Sequence, residues 1–275
     1  MCRIAAYYGP PVVVARLLNE AQHSLEDQSR NAREMSDSSV AGDGWGIGWF
    51  AQGERMRPGL FKSILPLWSD ENAKTAAHAL VSGSIVGHIR LASPGVEVCL
   101  TNTPLYPLGE YLWTVNGSLS PWPGPLAKAM RDRLDPEDEA AIRGSTDAEI
   151  LGALWRTCLR SSLPRGEASA LRETLTIARN LAFDHGGEIK VNIIVGHASG
   201  FLAVRYAEPD TPNSLYALSG QDRWGGGVLV ASEPLDDGPG WKSVEPGSLI
   251  VADADGLRSE PLGLARARRV RRQSA

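Results

Sequence analysis

The chain has few cysteines and histidines for its size. Its 275 residues include three cysteines, Cys2, Cys99 and Cys158, and five histidines. Three cysteines cannot form the disulfide framework of a small secreted protein, and their spacing does not match a zinc site. We therefore predict no metal and no cofactor, and a cysteine used for chemistry must find its base among very few histidines or elsewhere.

Long hydrophobic runs and an excess of basic charge are also lacking. No apolar run approaches the roughly 18 residues of a membrane-spanning helix, and no charged leader precedes an apolar stretch. The formal net charge of -4 gives no electrostatic reason to expect a nucleic-acid partner. We therefore expect a protein that binds neither membranes nor nucleic acid, and a reducing cytoplasm suits a chain whose function would require a free thiol. The oligomeric state stays open.

The basic charge that is present is concentrated at the end of the chain. Five arginines lie within the last ten residues: Arg266, Arg268, Arg269, Arg271 and Arg272. Such a run is either a solvated, frayed tail or an anion-binding arm, and we expect the first. With 43% apolar residues the rest can bury one large core. We predict a single domain over residues 1–263 and a disordered basic tail over 264–275.

The second residue is the most informative one. Initiator methionine is generally removed when the next residue is small, so the mature chain would begin at Cys2. That residue would then carry both a thiol, whose thiolate is a nucleophile, and an α-amine with a pKa of roughly 7.7–8.0. Such an amine can serve as the base for the thiol near neutral pH. The alternative is that a small second residue has no function.

Local patterns predict strands, then helices, then strands again. An apolar run over residues 3–8 ends at Gly9-Pro10-Pro11, which indicates a strand and a turn, and residues 12–18 favour a short helix. The polar residues 28–40 indicate a surface loop. Glycines alternate with large apolar residues over 42–50, which indicates a strand lying close against another backbone. Further strands are predicted at 84–90, 111–115, 191–195, 201–206, 215–218, 227–232 and 249–252, and helical stripes at 150–158 and 171–181. This order predicts an α+β fold with antiparallel sheets.

Three short motifs carry residues suited to amide chemistry, each with a plain alternative. Asn116 and Gly117 offer donors for an oxyanion, or form a hairpin turn. Arg90 ends an apolar strand and suits a carboxylate in bidentate geometry, or makes a surface ion pair. Asp147 begins a helix, where it binds a substrate ammonium or simply favours the helix dipole.

Taken in chain order, these motifs resemble the class II glutamine amidotransferases, a family of N-terminal-nucleophile hydrolases. The resemblance covers Cys2 to about residue 154 and continues less specifically through residues 230–235. Its motifs are the N-terminal Cys, Asp-Gly-Trp-Gly-Ile-Gly-Trp (43–49), His-x-Arg-x-Ala-Ser (88–93), Asn-Thr-Pro (102–104), Asn-Gly (116–117), Ser-Thr-Asp-Ala-Glu (145–149) and Val-Ala-Ser-Glu-Pro-Leu (230–235). The resemblance implies a four-layer αββα sandwich of two antiparallel sheets.

The resemblance also implies the catalytic residues. Cys2 would be the nucleophile and its α-amine the general base, while Asn116 and the backbone N–H of Gly117 would form the oxyanion hole. The sequence departs from the family at Val115, where the family usually has the histidine of a His-Asn-Gly motif. Because the asparagine and glycine are kept, we expect an active enzyme with a tuned site.

Substrate binding follows from the same resemblance. Arg90, with Ser93 nearby, would hold the α-carboxylate of a γ-glutamyl group, and Asp147 would bind its α-ammonium. A glutamyl group carries one anion and one cation at its far end, so this clamp would place the γ-carbonyl over the sulfur of Cys2. The implied activity is hydrolysis of a γ-glutamyl amide.

Within the family the chain is most similar to the stand-alone branch that acts in ergothioneine biosynthesis. That similarity implies hydrolysis of γ-glutamyl-hercynylcysteine S-oxide to glutamate and hercynylcysteine S-oxide, and we expect no room for a synthase domain. Two alternatives stay open, a glutaminase subunit that passes ammonia to a separate synthase and a non-catalytic γ-glutamyl-binding module. Five tryptophans offer cation–π contact to a trimethylammonium group, or pack in the core: Trp45, Trp49, Trp68, Trp113 and Trp122.

Overall fold

The computed structural model describes residues 1–34, 40–51, 57–162 and 165–264. The arginines of the predicted basic tail lie outside the described residues. Thirteen strands occur in the described part of the chain: β1 (Arg3–Val13), β2 (Trp45–Trp49), β3 (Gly59–Ser63), β4 (Val81–Ile89), β5 (Tyr106–Leu108), β6 (Tyr111–Leu119), β7 (Ile189–His197), β8 (Gly200–Glu208), β9 (Tyr216–Ser219), β10 (Val228–Ala231), β11 (Lys242–Ser243), β12 (Ser248–Asp253) and β13 (Gly256–Pro261).

The strands form two antiparallel sheets. The first has the order β11-β9-β10-β1-β4-β2-β3, and the second has the order β13-β12-β8-β7-β6-β5. Their facing sides bury one apolar layer, which includes Ile4, Val86, Leu112 and Ile194. Cys2 precedes β1, the central strand of the first sheet, so the predicted nucleophile is attached to a rigid element.

Helices cover the outer face of each sheet. They are α1 (Leu25–Arg30), α2 (Glu71–Ala79), α3 (Gly124–Arg131), α4 (Pro136–Ala141), α5 (Asp147–Ser161) and α6 (Gly166–Asp184), with shorter turns at Arg16–Glu20, Leu67–Ser69 and Asp222–Trp224. Apolar residues of α1 and α2 pack on the first sheet, and those of α3, α5 and α6 pack on the second. The predicted four-layer αββα sandwich is confirmed. In the described ranges no helix is both long and apolar enough to span a bilayer.

The end of β1 shows where two local predictions were wrong. The strand does not end at Pro10 and Pro11 but continues to Val13, and its pairing with β4 shifts register between Tyr8 and Val12. Prolines are tolerated there because they lack an N–H and the regular ladder is interrupted at that point. The predicted helix over 12–18 is consequently replaced by the turn Arg16–Glu20.

The loop predicted over residues 28–40 was also wrong at its start. Gln28 lies in α1 and is buried. Its side-chain Nε2 donates to the carbonyl oxygens of His23 at 2.9 Å and Glu233 at 3.2 Å. The polar side chain of Gln28 therefore serves internal hydrogen bonds and does not mark a surface loop.

The glycines of β2 do permit the close approach that their alternation predicts. A Cβ on Gly46 would lie 2.3 Å from the carbonyl oxygen of Pro104 and 2.9 Å from the amide nitrogen of Leu105. The first sheet therefore contacts, backbone to backbone, the segment that leads into the second sheet. This contact closes one side of the region in which the candidate site lies.

Candidate active site

A cavity of about 340 Å³ lies where β1 begins, β4 and β6 end, and α5 starts. Its lining includes five of the six predicted site residues, namely Cys2, Arg90, Ser93, Gly117 and Asp147. The sixth, Asn116, is buried and does not line the cavity. Residues from distant parts of the sequence therefore come together at one end of the sandwich.

The sulfur of Cys2 is held by the backbone that follows β4. The N–H of Leu91 donates to Cys2 Sγ at 3.3 Å, and the thiol lies 3.5 Å from the carbonyl oxygen of Leu91. Burial raises the pKa of the Cys2 thiol, against the opposing effects of the Leu91 N–H, the α-amino charge of Met1 and the nearby Arg90 and Arg3. The raised pKa means that the sulfur needs a base at neutral pH.

Arg3 fixes the main chain around Cys2 from the other side of the strand. Its guanidinium is fully buried, with Nε donating to the carbonyl oxygen of Gln28 at 3.1 Å. Its Nη1 donates to the carbonyl oxygens of Met1 and, at 3.3 Å, of Cys2. Sequence reasoning missed this role, because a charged residue in a strand usually faces solvent.

Arg90 has no acidic partner among the residues that the structure describes. Only 3% of the residue is exposed, and its Nη1 and Nη2 donate to the carbonyl oxygens of Asp43 at 3.4 Å and Glu97 at 3.0 Å. In the described part of the chain no carboxylate lies within 4.0 Å of it, so the surface ion pair is wrong. The guanidinium has further N–H donors, and a buried cation beside a cavity favours an anionic ligand.

Asp147 is the first residue of α5 but not its cap. The cap is Thr146, whose hydroxyl accepts from the N–H of Glu149. The two carboxylate oxygens of Asp147 accept from the N–H groups of Leu119 at 2.8 Å and Ala148 at 2.9 Å. Burial raises the pKa of Asp147 to about 6, against these hydrogen bonds. Asp147 is therefore ionised at neutral pH, with a charge opposite to that of Arg90 on the same cavity.

Asn116 and Gly117 lie within β6 and not in a turn, so the hairpin alternative is wrong. They pair with Asn192 and Val191 of β7. Gly117 has a φ of +147°, and a Cβ there would lie 1.9 Å from the carbonyl oxygen of Lys190. Only glycine fits this position, and it brings the backbone of the strand to the cavity.

Val115 lies on the opposite face of β6 from the Asn116 side chain. Side chains alternate along a strand. The Val115 side chain accordingly packs with Trp113 in the core between the second sheet and its helices. Val115 also lines the cavity, so the departure from the family histidine changes the cavity wall as well as the packing beneath the helices.

His88 is a cavity residue to which sequence reasoning assigned no role. It is fully buried, its Nδ1 lies 2.6 Å from the hydroxyl of Thr114, and its Nε2 has no hydrogen-bond partner among the described residues. Burial lowers the pKa of His88 to about 3, so the imidazole is neutral at working pH. The sequence signal for His88 was its place two residues before Arg90, since extended backbone puts the side chains of residues i and i+2 on the same side.

Of the five candidate tryptophans, Trp122 borders the cavity. Its ring is half-buried, and its Nε1 donates to the carbonyl oxygen of Ser145 at 3.1 Å. Trp45 and Trp113 are buried core residues, as the packing alternative expected. Of these tryptophans, Trp122 therefore offers its ring at the cavity, beside the start of α5, and Tyr106 also lines the cavity.

Comparisons with known proteins identify the family of the chain. The model of the class-II glutamine amidotransferases matches residues 20–271. The γ-glutamyl-hercynylcysteine sulfoxide hydrolase of Mycolicibacterium smegmatis is 28% identical over 92% of this chain and 97% of that protein. The enzyme of the same name from Mycobacterium tuberculosis is 26% identical over 97% and 99%. A probable glutamine amidotransferase of Saccharomyces cerevisiae, DUG3, is 29% identical over 56% of this chain and 44% of that protein.

Solved structures show the same fold at low identity. A glutamine aminotransferase class-II domain protein from Silicibacter pomeroyi aligns with a TM-score of 0.69 at 20% identity, covering 94% of this chain and 99% of that one. Glutamine phosphoribosylpyrophosphate amidotransferase from Bacillus subtilis aligns with a TM-score of 0.62 at 15% identity, covering 96% of this chain and 50% of that one. The chain belongs to the class-II glutamine amidotransferases and is an amidohydrolase with their N-terminal-nucleophile fold.

Proposed function

We propose that this enzyme uses Cys2 to hydrolyse γ-glutamyl amides, and that its substrate is γ-glutamyl-hercynylcysteine S-oxide. The observation that carries the proposal is that Arg90, Asp147 and Cys2 line the same cavity. Arg90 lacks an acidic partner among the described residues, and Asp147 is an anion at neutral pH. These two charges match the α-carboxylate and α-ammonium of a glutamyl group.

The proposed reaction begins with removal of Met1, which leaves the α-amine on Cys2. The amine takes the thiol proton as the sulfur attacks the γ-carbonyl carbon. The side-chain amide of Asn116 and the backbone N–H of Gly117 stabilise the oxyanion. As the carbon–nitrogen bond breaks, the proton passes to the leaving amine. Water then attacks the thioester, which releases glutamate and restores the thiol.

The specific substrate is supported by two observations. The mycobacterial relatives named for this substrate align over nearly their whole lengths, whereas the alignment with the yeast relative spans less than half of that protein. The half-buried ring of Trp122 also borders the cavity, and an aromatic face attracts a trimethylammonium group such as that of hercynine. Free glutamine carries no trimethylammonium group, so an enzyme for glutamine alone would not need this aromatic face.

The experiment is a comparison of two substrates on one purified enzyme without partners, with glutamate release as the readout. We expect kcat/KM for γ-glutamyl-hercynylcysteine S-oxide to exceed that for glutamine by about two decades, roughly 2.7 kcal/mol, because a bulky leaving group adds binding in the transition state. The Cys2→Ala variant is the control and should be inactive on both.

Each alternative gives a different result. Equal rates on the two substrates would indicate a general glutaminase. Activity on glutamine alone, rising when a synthase is added, would indicate an ammonia-supplying subunit. A protein whose function survives Cys2→Ala would be a γ-glutamyl-binding module.

A further inference from the structure

Ser232 connects the nucleophile strand to the predicted oxyanion residue. It follows β10 and belongs to the Val-Ala-Ser-Glu-Pro-Leu segment, to which sequence analysis assigned no role. Its N–H donates to the carbonyl oxygen of Ile4 at 2.9 Å, and its hydroxyl accepts from the N–H of Ile4 at 2.9 Å. Ser232 thus continues the pairing of β10 with β1 to a point two residues from Cys2.

The same hydroxyl reaches the other sheet. Asn116 Nδ2 donates to Ser232 Oγ at 3.4 Å, which is longer than the usual range of about 2.7–3.2 Å for an N–H···O hydrogen bond. Within the described part of the chain this is the one hydrogen bond that the Asn116 side chain makes, and its Oδ1 is buried without a partner. The orientation of that amide therefore depends on Ser232.

We propose that Ser232 is a positioning residue that fixes the side-chain amide of Asn116 relative to Cys2. The inference rests on the proposed function, in which Asn116 donates to the oxyanion. An amide nitrogen carries two hydrogens, so with one directed at Ser232 the other remains for the substrate oxygen. Without the hydroxyl, the amide rotates and its oxygen can face the developing negative charge, which opposes catalysis.

A double-mutant cycle tests this dependence. We expect Ser232→Ala to lower kcat for glutamine at least tenfold and to change KM less than twofold, because glutamyl binding lies with Arg90 and Asp147. Asn116→Ala should lower kcat about 10²- to 10³-fold. The double variant should match Asn116→Ala alone, since Ser232 then has no amide left to orient. Ser232→Cys, which keeps a weaker acceptor, should fall between wild type and Ser232→Ala.

Ser82→Ala is the matched control for a buried hydroxyl in the same sheet. The Ser82 hydroxyl lies 2.7 Å from the carbonyl oxygen of Phe50 and accepts from the N–H of Ser84 at 3.1 Å, away from the cavity. It should lose stability as Ser232→Ala does and keep its kcat. An equal loss of kcat in Ser82→Ala would show that the loss in Ser232→Ala comes from general destabilisation, and it would overturn the inference.

Two further outcomes separate this inference from the proposed function. Losses in kcat that multiply in the double variant would overturn the role of Ser232, while hydrolysis by the wild type leaves the proposed function intact. An unchanged kcat in Asn116→Ala would overturn the role of Ser232 and also remove Asn116 from the proposed oxyanion hole, while hydrolysis by Cys2 would stand. If the wild type hydrolyses neither substrate, chemical denaturation of the wild type, the two single alanine variants and the double variant still tests whether Ser232 and Asn116 interact. Changes in the free energy of unfolding that do not add in the double variant support the interaction, and changes that add overturn it.

Discussion

The backbone N–H of Leu91 donates to the sulfur of Cys2 at 3.3 Å. Leu91 directly follows Arg90, so one short segment holds both the predicted nucleophile and the predicted carboxylate-binding cation. The pairing of β1 with β4 fixes the backbones of Cys2 and Arg90 relative to each other. Hydrogen bonds to the carbonyl oxygens of Asp43 and Glu97 hold the guanidinium. Such placement on paired strands is what alignment of a γ-carbonyl over the sulfur requires.

Arg90→Lys keeps the positive charge but loses the planar fork. We expect kcat/KM for glutamine to fall of order 10²-fold, about 2.7 kcal/mol, because a buried lysine cannot replace two parallel N–H bonds to a carboxylate. Steady-state kinetics on both substrates measure this loss. Near-normal activity in Arg90→Lys would place the carboxylate-binding group elsewhere.

Asp147 should make glutamyl binding depend on pH. With its pKa raised to about 6, the carboxylate becomes protonated as the pH falls through that value and no longer attracts an ammonium. In the Cys2→Ala variant, the Kd for L-glutamine by calorimetry should rise about tenfold per pH unit below about 6. Adding Asp147→Asn should weaken binding at pH 7.5 and remove this slope. A slope that persists in the double variant would assign the titration to another group.

Trp122 should distinguish the two substrates. Removing its aromatic face in Trp122→Leu should lower kcat/KM for γ-glutamyl-hercynylcysteine S-oxide about fivefold, the effect of roughly 1 kcal/mol of cation–π contact, and leave the value for glutamine unchanged. Trp122→Phe is the matched control and should lose less. Equal losses on both substrates would show that Trp122 supports the cavity without contacting the leaving group.

Gly46 should be critical for stability because two backbones meet there. Gly46→Ala places a Cβ 2.3 Å from the carbonyl oxygen of Pro104, and we expect it to lower the free energy of unfolding by about 3 kcal/mol. Gly109→Ala is the control, since Gly109 has a φ of +72° and a Cβ added there would meet no described atom within 4 Å, and it should cost only about 1 kcal/mol. Equal melting temperatures for the two variants would contradict the close contact.

Periodic patterns predicted the antiparallel sheets and their helices, whereas the four layers and most of the cavity residues were predicted from the resemblance of ordered motifs to a known family. The α5 stripe and the glycines of β2 illustrate the periodic patterns, as each follows from one local rule. Local rules failed at Pro10 and Pro11, where pairing on the sheet overrides a turn signal. They also failed at Asn116, because a strand pairing with β7 decides whether Asn-Gly turns.

Contacts between segments that are far apart in the chain could not be predicted from the sequence. Ser232 meets Asn116 across 116 positions, and Arg3 meets the carbonyl oxygen of Gln28 from within a strand. Nothing in the composition near either residue indicates its partner, since the sandwich brings them together only after both sheets form. The role of Val115 was equally hidden, because it depends on which face of β6 is turned to the helices.

The most direct measurement is mass spectrometry of the active protein, intact and after incubation with 6-diazo-5-oxo-L-norleucine, a glutamine analogue that alkylates thiols. We expect Met1 to be absent and a single adduct to form on Cys2, with Cys99 and Cys158 unmodified and no adduct in Cys2→Ala. Fully active protein that retains Met1, or an adduct on a residue other than Cys2, would contradict a mechanism based on an N-terminal cysteine.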